Sequence, residues 1–533
     1  MSSNQKAATE TALPGDHKVN AGLKAGAVGM FGVLFMAVAN AAPITAMSFN
    51  VPIAIGYGNG IGAPAGFLFA TIVLTFFTVG YVAMARHITT TGAFYGFISQ
   101  GLGQVWGMAS GLLATIAYVV FEGSLIGGFA YFASDTLKNS LNINIGWLPI
   151  AIVGTVVIAA LTYFAISVTA AVLSVTLISE VVLLLTLGIS VLIKGGPDGY
   201  LFNDTVPITP GFKNLPDNAY GSSVVAGAAA IGIFFAFWSW IGYETTAVYG
   251  EESKNPKKII PRATLIAVVG LGLFYTFMSW MVVVGNGAKA SVELSASANP
   301  IDLWINLTQN NLGTFAVGIY RTLLVVGSFA CAMAFHNAAS RYIYAIGRET
   351  SSPKIRSTIG ATNPVHGSPA VASFIQSGIT VVLMVAFALF TNVYLPDASG
   401  NPVATPDLIP YTNVYGILAL IGTAMILLVM VFCSIAVIWF FWVKRIHKAD
   451  MFTTILCPMI GGGGMLYALV LLWQNRAFAA GAAAESLVFK MTPWYILATL
   501  IIGFGYAMWL RSARPAAFAE IGRTTLEEAH ERV

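Results

Sequence analysis

Long apolar runs decide what this chain can become. A helix needs about 20 apolar residues to cross the hydrocarbon of a bilayer, and inside lipid only helices and closed barrels leave no backbone group unpaired. Twelve such runs follow one another, at 25–55, 64–85, 104–133, 147–167, 170–194, 222–249, 263–285, 314–340, 369–390, 411–442, 452–473 and 494–511. They are too continuous for the short alternating strands of an outer-membrane barrel, so the expected fold is all-α and membrane-embedded. Only 9% of the 533 residues are charged, against about 25% in soluble proteins, which excludes a soluble enzyme. Cys331, Cys433 and Cys457 all lie in apolar stretches and read as small core hydrophobes rather than disulfide or metal groups. No metal and no cofactor is expected.

Residues 1–22 are polar and small, with no basic-then-apolar segment ending at a cleavage site, and read as a cytoplasmic tail. If the first run starts inside, 19 of the 26 Lys and Arg fall on that side, six fall on the other, and Arg321 lies within a run. The positive-inside rule then places both termini in the cytoplasm of a cell (inner or plasma) membrane, with residues 512–533 as a second tail. The net charge of +4 is spread over short loops, so it says more about topology than about partners; the basic run Lys254 to Arg262 is expected to meet anionic membrane lipid, and no nucleic acid partner is expected. Nothing in the pattern sets an oligomeric state.

Two runs are interrupted. The first carries Asn40-Ala-Ala-Pro43-Ile-Thr45, where a proline removes a backbone donor at mid-depth. The sixth carries Trp238-Ser-Trp-Ile-Gly242-Tyr-Glu244, a glycine and a carboxylate at the same depth. Each interruption opens a block of five runs, and matching interruptions in two halves point to an inverted-repeat transporter whose site is built from broken helices.

Around the second interruption, Phe235-Ala-Phe-Trp-Ser-Trp-Ile-Gly-Tyr-Glu-Thr-Thr-Ala followed by Glu251-Glu-Ser-Lys-Asn-Pro-Lys-Lys-Ile-Ile-Pro-Arg-Ala263 closely resembles the sixth-span signature of the amino acid–polyamine–organocation permeases. Thr90-Thr-Gly-Ala-Phe-Tyr-Gly-Phe97 is similar to that family's first cytoplasmic loop, and Val326 to Tyr342 with Ala345-Ile-Gly-Arg-Glu349 to its eighth span. The resemblance implies a transporter domain over 23–511: repeat one at about 25–194, repeat two at about 222–442, and two further helices at 452–511. It also implies an amino acid or amine substrate, coupled to protons or to counter-exchange. Many members carry a Gly-small-Gly turn in the first break, whereas Thr45-Ala46-Met47 after Pro43 stands here.

At the first break a resuming helix offers N–H groups and a positive dipole end to a carboxylate, assigned here to the backbone of Ala42, Ile44, Thr45, Ala46 and Met47. The first half of span 6 should end in free carbonyls at Ala236, Phe237 and Trp238 for an ammonium group. Trp238 and Tyr243 are expected to flank the substrate side chain. Ionisable groups at membrane depth are functional hypotheses by default. Glu244 matches a glutamate of the family's motif thought to relay protonation state. Glu180 lies near where some proton-driven relatives carry a lysine, so both are assigned to proton coupling. Glu122 is expected to face the site and favour a cation, with pairing to Arg321 or a place near the outer mouth as the alternatives. His336 and Asn337 read as structural. The intramembrane acids lack the clustered His, Cys and Asp of metal or nucleophilic catalysis, so an enzyme is not expected. A polyamine or cationic amino acid importer, and a non-pumping channel or nutrient receptor, stand as alternatives to an amino acid transporter.

Overall fold

The computed structural model describes residues 22–522, apart from 165, 298, 397–401, 446–448 and 477–485. Of the expected tail 1–22 only Gly22 is described; residues 1–21 and the segment 523–533 lie outside the described residues. The long helices are α1 (Met30–Ala41), α2 (Pro43–Ile53), α3 (Ala63–Ala85), α4 (Phe94–Leu102), α5 (Gln104–Leu141), α6 (Trp147–Tyr163) and α7 (Ile166–Lys194). After a loop holding α8 (Phe202–Thr205) come α9 (Ala229–Trp238), a tight helical turn Tyr243–Tyr249, and α10 (Pro256–Asn286). Two short helices, α11 (Ala288–Ser295) and α12 (Asp302–Leu312), lead into α13 (Thr314–Arg348). The rest are α14 (Pro353–Thr358), α15 (Ala370–Phe390), α16 (Leu418–Ile438), α17 (Cys457–Gln474), α18 (Leu487–Lys490), α19 (Thr492–Ala513) and α20 (Pro515–Glu520).

Among the described residues, nine helical stretches are long and apolar enough to cross a membrane. One of them, Met30–Ala85, holds α1 to α3 and so covers two of the expected runs; Trp147–Tyr163 is shorter. The run expected at 222–249 is divided between α9 and the turn Tyr243–Tyr249. Among the described residues the only β-ladder, a single isolated bridge aside, is a hairpin in which Tyr394–Pro396 pairs with Pro402–Ala404. Prolines stand at the first or second position of α2, α3, α10, α17 and α20, where a missing N–H leaves nothing unpaired.

The two halves meet helix against counterpart. The third helix of each block, α5 and α13, pack along their length: Tyr118 stacks on Tyr342, Phe121 on Phe335, Phe129 meets Phe329 edge-on, and Asp135 pairs with Arg321. As numbers rise along one helix they fall along the other, so the pair is antiparallel. The second helices behave alike, with Phe67 against Tyr275 and Thr71 against Gly272. The fourth helices α6 and α15 are tied by Thr162 and Ser373. Inverted halves around a two-fold axis require this pairing. In α17 the run Gly461–Gly464 lets the helix lie against the backbone of Phe77 and against Val73 in α3.

One end of the bundle is closed by backbone and ion pairs. Val28 bridges to Ser253, its N–H donating to the Glu252 carbonyl at 3.0 Å. Arg341 on α13 donates from Nε and Nη2 to Glu252 at 2.7 and 2.9 Å, and Arg348 grips Glu251 through both terminal nitrogens at 2.9 and 2.6 Å. Burial alone would raise the Glu251 carboxyl, but the Arg348 guanidinium and the Thr91 N–H outweigh it and hold the group below the usual carboxylate range.

Breaking a buried bidentate pair leaves one charge uncompensated. Arg341→Met therefore costs about 3–5 kcal/mol, and Arg341→Met with Glu252→Leu costs less; thermal denaturation in detergent compares the two, and equal losses would refute the account. Because Glu251 is depressed when folded, its contribution is present above the unfolded value of about 4 and disappears as pH falls through and below it. Melting curves across that range should show Glu251→Gln losing less stability on acidification than the parent chain.

Candidate functional site

The first break is a single residue. α1 stops at Ala41, Ala42 takes the left-handed conformation at φ 43°, and α2 begins with Pro43. A residue with a Cβ reaches that region at a cost, so the surrounding packing must hold it. The Ala42 N–H still bonds back to the carbonyls of Val38 and Ala39. Of the four N–H groups a helix start leaves open, Pro43 has none, Ala46 donates to the Ala42 carbonyl at 2.8 Å, and Ile44 donates to Glu180 Oε2 at 3.2 Å. The Thr45 N–H is the one left without a partner among the described residues.

The second break is longer. α9 tightens at its end, so the carbonyls of Phe235 and Ala236 accept from Ser239 N–H, that of Phe237 from Trp240, and that of Trp238 from Ile241. The expected free carbonyls at Ala236, Phe237 and Trp238 are thus already engaged, because the last turn winds into a tighter helix. The carbonyls of Ser239 and Ile241 carry no partner among the described residues. Gly242, at φ 113°, lies so close to α1 that a Cβ would sit 2.5 Å from Asn40 Cβ. Asn40 Nδ2 donates to Thr245 Oγ1 at 2.7 Å, and the Cys331 thiol donates to the Asn40 carbonyl at 3.2 Å.

Between the breaks lies a cavity with about 20 Å³ of free space, lined by residues of α1, α2, α5, α9, α13 and the segments after α9 and before α16. That is room for about one water, so a solute enters only as the helices part. Ala42, Thr45, Ala46 and Trp238 line it, whereas Ile44, Met47, Ala236, Phe237 and Tyr243 do not. The Tyr243 hydroxyl is turned to Thr78 on α3, 2.8 Å away. The remaining wall is Phe121, Leu125, Cys331, Phe335 and Tyr415, with Asn40, Asn50, Ser239 and Ile241 supplying polar atoms. The Oδ1 atoms of Asn40 and Asn50 are buried and unpartnered. On the side away from Val28 the cavity is roofed by Phe49, Trp238, Tyr411 and Tyr415, with Phe49 and Tyr415 ring centres 4.0 Å apart.

The three intramembrane acids separate. Glu180, on α7, caps the start of α2 and lies against Gly327 of α13. Glu244 accepts from the Tyr118 hydroxyl at 2.7 Å and from the Gly242 N–H at 2.9 Å, tying α5 to the second break without touching the cavity. Glu122 does not face the cavity as expected: Phe121 and Leu125, one turn apart on α5, do. A hundred degrees round the helix, Glu122 meets His336 Nδ1 at 3.3 Å, Gln376 Nε2 at 3.0 Å and Thr380 Oγ1. Its alternative partner Arg321 is held by Asp135 at 3.2 Å instead.

The sequence reading did not place Asn50 or the pairs Phe121/Leu125 and Cys331/Phe335. The i, i+4 spacing of both pairs, and an amide ten residues after Asn40 in one apolar run, were the available signals.

Comparison with known proteins fits this geometry. The branched-chain amino acid permease BcaP of Lactococcus lactis subsp. cremoris (strain MG1363) is 23% identical over 326 residues, 58% of this chain and 66% of that protein, just under two thirds of its length. BcaP of Bacillus subtilis (strain 168) is 22% identical over 431 residues, 78% of this chain and 80% of its own. The low-affinity putrescine importer PlaP of Escherichia coli (strain K12) is 21% identical over 458 residues, 80% and 84% of the two chains. The profile of the amino acid permease family matches residues 28–515, nearly the whole of the described chain, and the chain belongs to that family.

Proposed function

We propose that this chain is a secondary transporter that carries a neutral amino acid across the cell membrane by alternating access, with a proton bound at Glu180 as the coupling ion. The observation that carries the substrate class is the cavity wall, whose lining holds no Asp, Glu, Lys, Arg or His. The Thr45 N–H at the positive end of α2 suits the substrate carboxylate. The Ser239 and Ile241 carbonyls and the two open asparagine oxygens suit its ammonium group. Phe121, Leu125, Phe335 and Trp238 then receive an apolar side chain. The branched-chain permeases among the relatives support this class. The putrescine importer keeps a diamine as the competing outcome. The Lys- and Arg-rich loops support the cytoplasm as the side on which Val28 and Ser253 meet.

Coupling follows from what Glu180 occupies. Its carboxylate sits on the same helix end that a substrate carboxylate needs. Two anions compete there, and a proton on Glu180 removes the competition, so substrate and proton bind together and each raises the affinity for the other. Glu244, held by two donors, links the break to α5 and passes the substrate-dependent shift of the break to the bundle.

Two experiments test the reading. Thermal stabilisation in detergent, with each ligand at about a hundredfold excess over its Kd, should reach about 2.7 kcal/mol for leucine-like or other neutral amino acids and be absent for arginine, lysine and putrescine. A cationic hit without a neutral one would overturn the substrate class. In proteoliposomes, Glu180→Gln should abolish proton-driven accumulation while preserving exchange of labelled for unlabelled substrate, and substrate binding should lose its dependence on pH. Undiminished accumulation by this variant would sink the coupling role.

A further inference from the structure

The segment after α19 returns to the ion-paired end of the bundle. α20 leads to Ile521, which is 1% exposed, and Gly522. The Gly522 N–H donates to Glu349 Oε2 at 2.7 Å and to the Tyr95 hydroxyl oxygen at 3.2 Å, and its carbonyl accepts from Gln100 Nε2 at 3.0 Å. The Tyr95 hydroxyl donates to the same carboxylate oxygen at 2.5 Å, and Lys444 Nζ donates to the Gln100 carbonyl at 2.6 Å. Gly522 has φ 65°, and a Cβ there would run into Ser99 of α4. Positive φ and close approach each require glycine at this position. A loose tail has no use for a buried isoleucine or for a glycine fitted to a helix.

The elements that this docking joins are those that close the path. Tyr95, Ser99 and Gln100 belong to α4, and Glu349 follows α13 directly. The neighbouring Arg348 holds Glu251, which also accepts from the Thr91 N–H at 3.0 Å just ahead of α4. Glu252, next in sequence, is fastened to Arg341 and bridges to the start of span 1. Parting of span 1 from residues 252–254 therefore draws on α4 and the end of α13, and Gly522 clamps those two together.

We propose that Pro515–Gly522 is an intramolecular latch that holds the ion-paired end of the bundle closed and slows its opening. Its effect on transport rests on the alternating-access reading; the docking itself does not. In the full-length chain, Gly522→Val should undock the segment. Hydrogen–deuterium exchange should then rise about tenfold across residues 94–102, as expected for loss of a few hydrogen bonds, and across 250–254. Initial uptake should rise several-fold, with the substrate-induced thermal shift unchanged. Gln100→Ala, which removes one bond without adding bulk, should give a smaller change in the same direction and serves if the valine variant does not fold. Unchanged exchange in both regions overturns the latch. Raised exchange with unchanged or lower uptake overturns its braking role. A parent chain that moves no amino acid or amine under any gradient refutes the transport reading instead, while exchange still reads the docking.

Discussion

A peptide group exposed to hydrocarbon has no hydrogen-bond partner, and this cost governs where the chain tolerates a break. At Ala42 the helix is interrupted for one residue only, and nearly every group released is taken up. Ala42 reaches back to α1, Ala46 reaches back to Ala42, Tyr275 donates to the Ala41 carbonyl at 2.9 Å, and Glu180 covers the Ile44 N–H. At Ser239–Gly242 the backbone turns more tightly, and Glu244 bends back to cover the Gly242 N–H. Among the described residues, the Thr45 N–H, the Ser239 and Ile241 carbonyls and the Oδ1 atoms of Asn40 and Asn50 stay open, all on residues that line the same cavity. The groups that stabilise the breaks and the groups left free to meet a solute are one set, counted from opposite sides.

Three glutamates at similar depth serve different ends because their donors differ. Glu180 meets a helix N-terminus, where the same donors suit any carboxylate. Glu244 is pinned by a phenol on α5 and a backbone N–H of the second break, and so ties those two elements together. Glu122 is enclosed by His336, Gln376 and Thr380, and through His336 and Ser373 it joins α5, α13, α15 and α6. These are third and fourth helices of both halves, so Glu122 fastens together helices that flank the broken ones without being broken themselves.

The helical class, the position of both breaks and the burial of the three acids were legible in the sequence, because each rests on runs, prolines and charges that hydropathy alone exposes. Helix rotation was not. Glu122 and Phe121 are neighbours in sequence, and only packing against α13 decides which of them meets the cavity. The open carbonyls fell at Ser239 and Ile241 rather than at Ala236 to Trp238, since the tightness of the last turn of α9 depends on Ser239 and on its contact with Asn50. The role of Gly522 was equally hidden: a glycine in a short polar tail has no local signature, and only the nearness of α4 gives it one.

The two closures of the cavity differ in kind. On one side Phe49, Trp238, Tyr411 and Tyr415 shut it with ring contacts, which rearrange by small rotations and leave no polar group stranded. On the other, two bidentate pairs and a backbone bridge shut it, and separating either pair strands two charges unless water follows them in. The aromatic contacts can be loosened one at a time, whereas the buried charges of Glu251, Glu252, Arg341 and Arg348 are costly to separate without water. The backbone of Gly522, bonded to Glu349 beside Arg348, adds a further polar contact next to the ion-paired closure, so the two ends of the cavity differ in chemistry although the halves that form them are inverted copies.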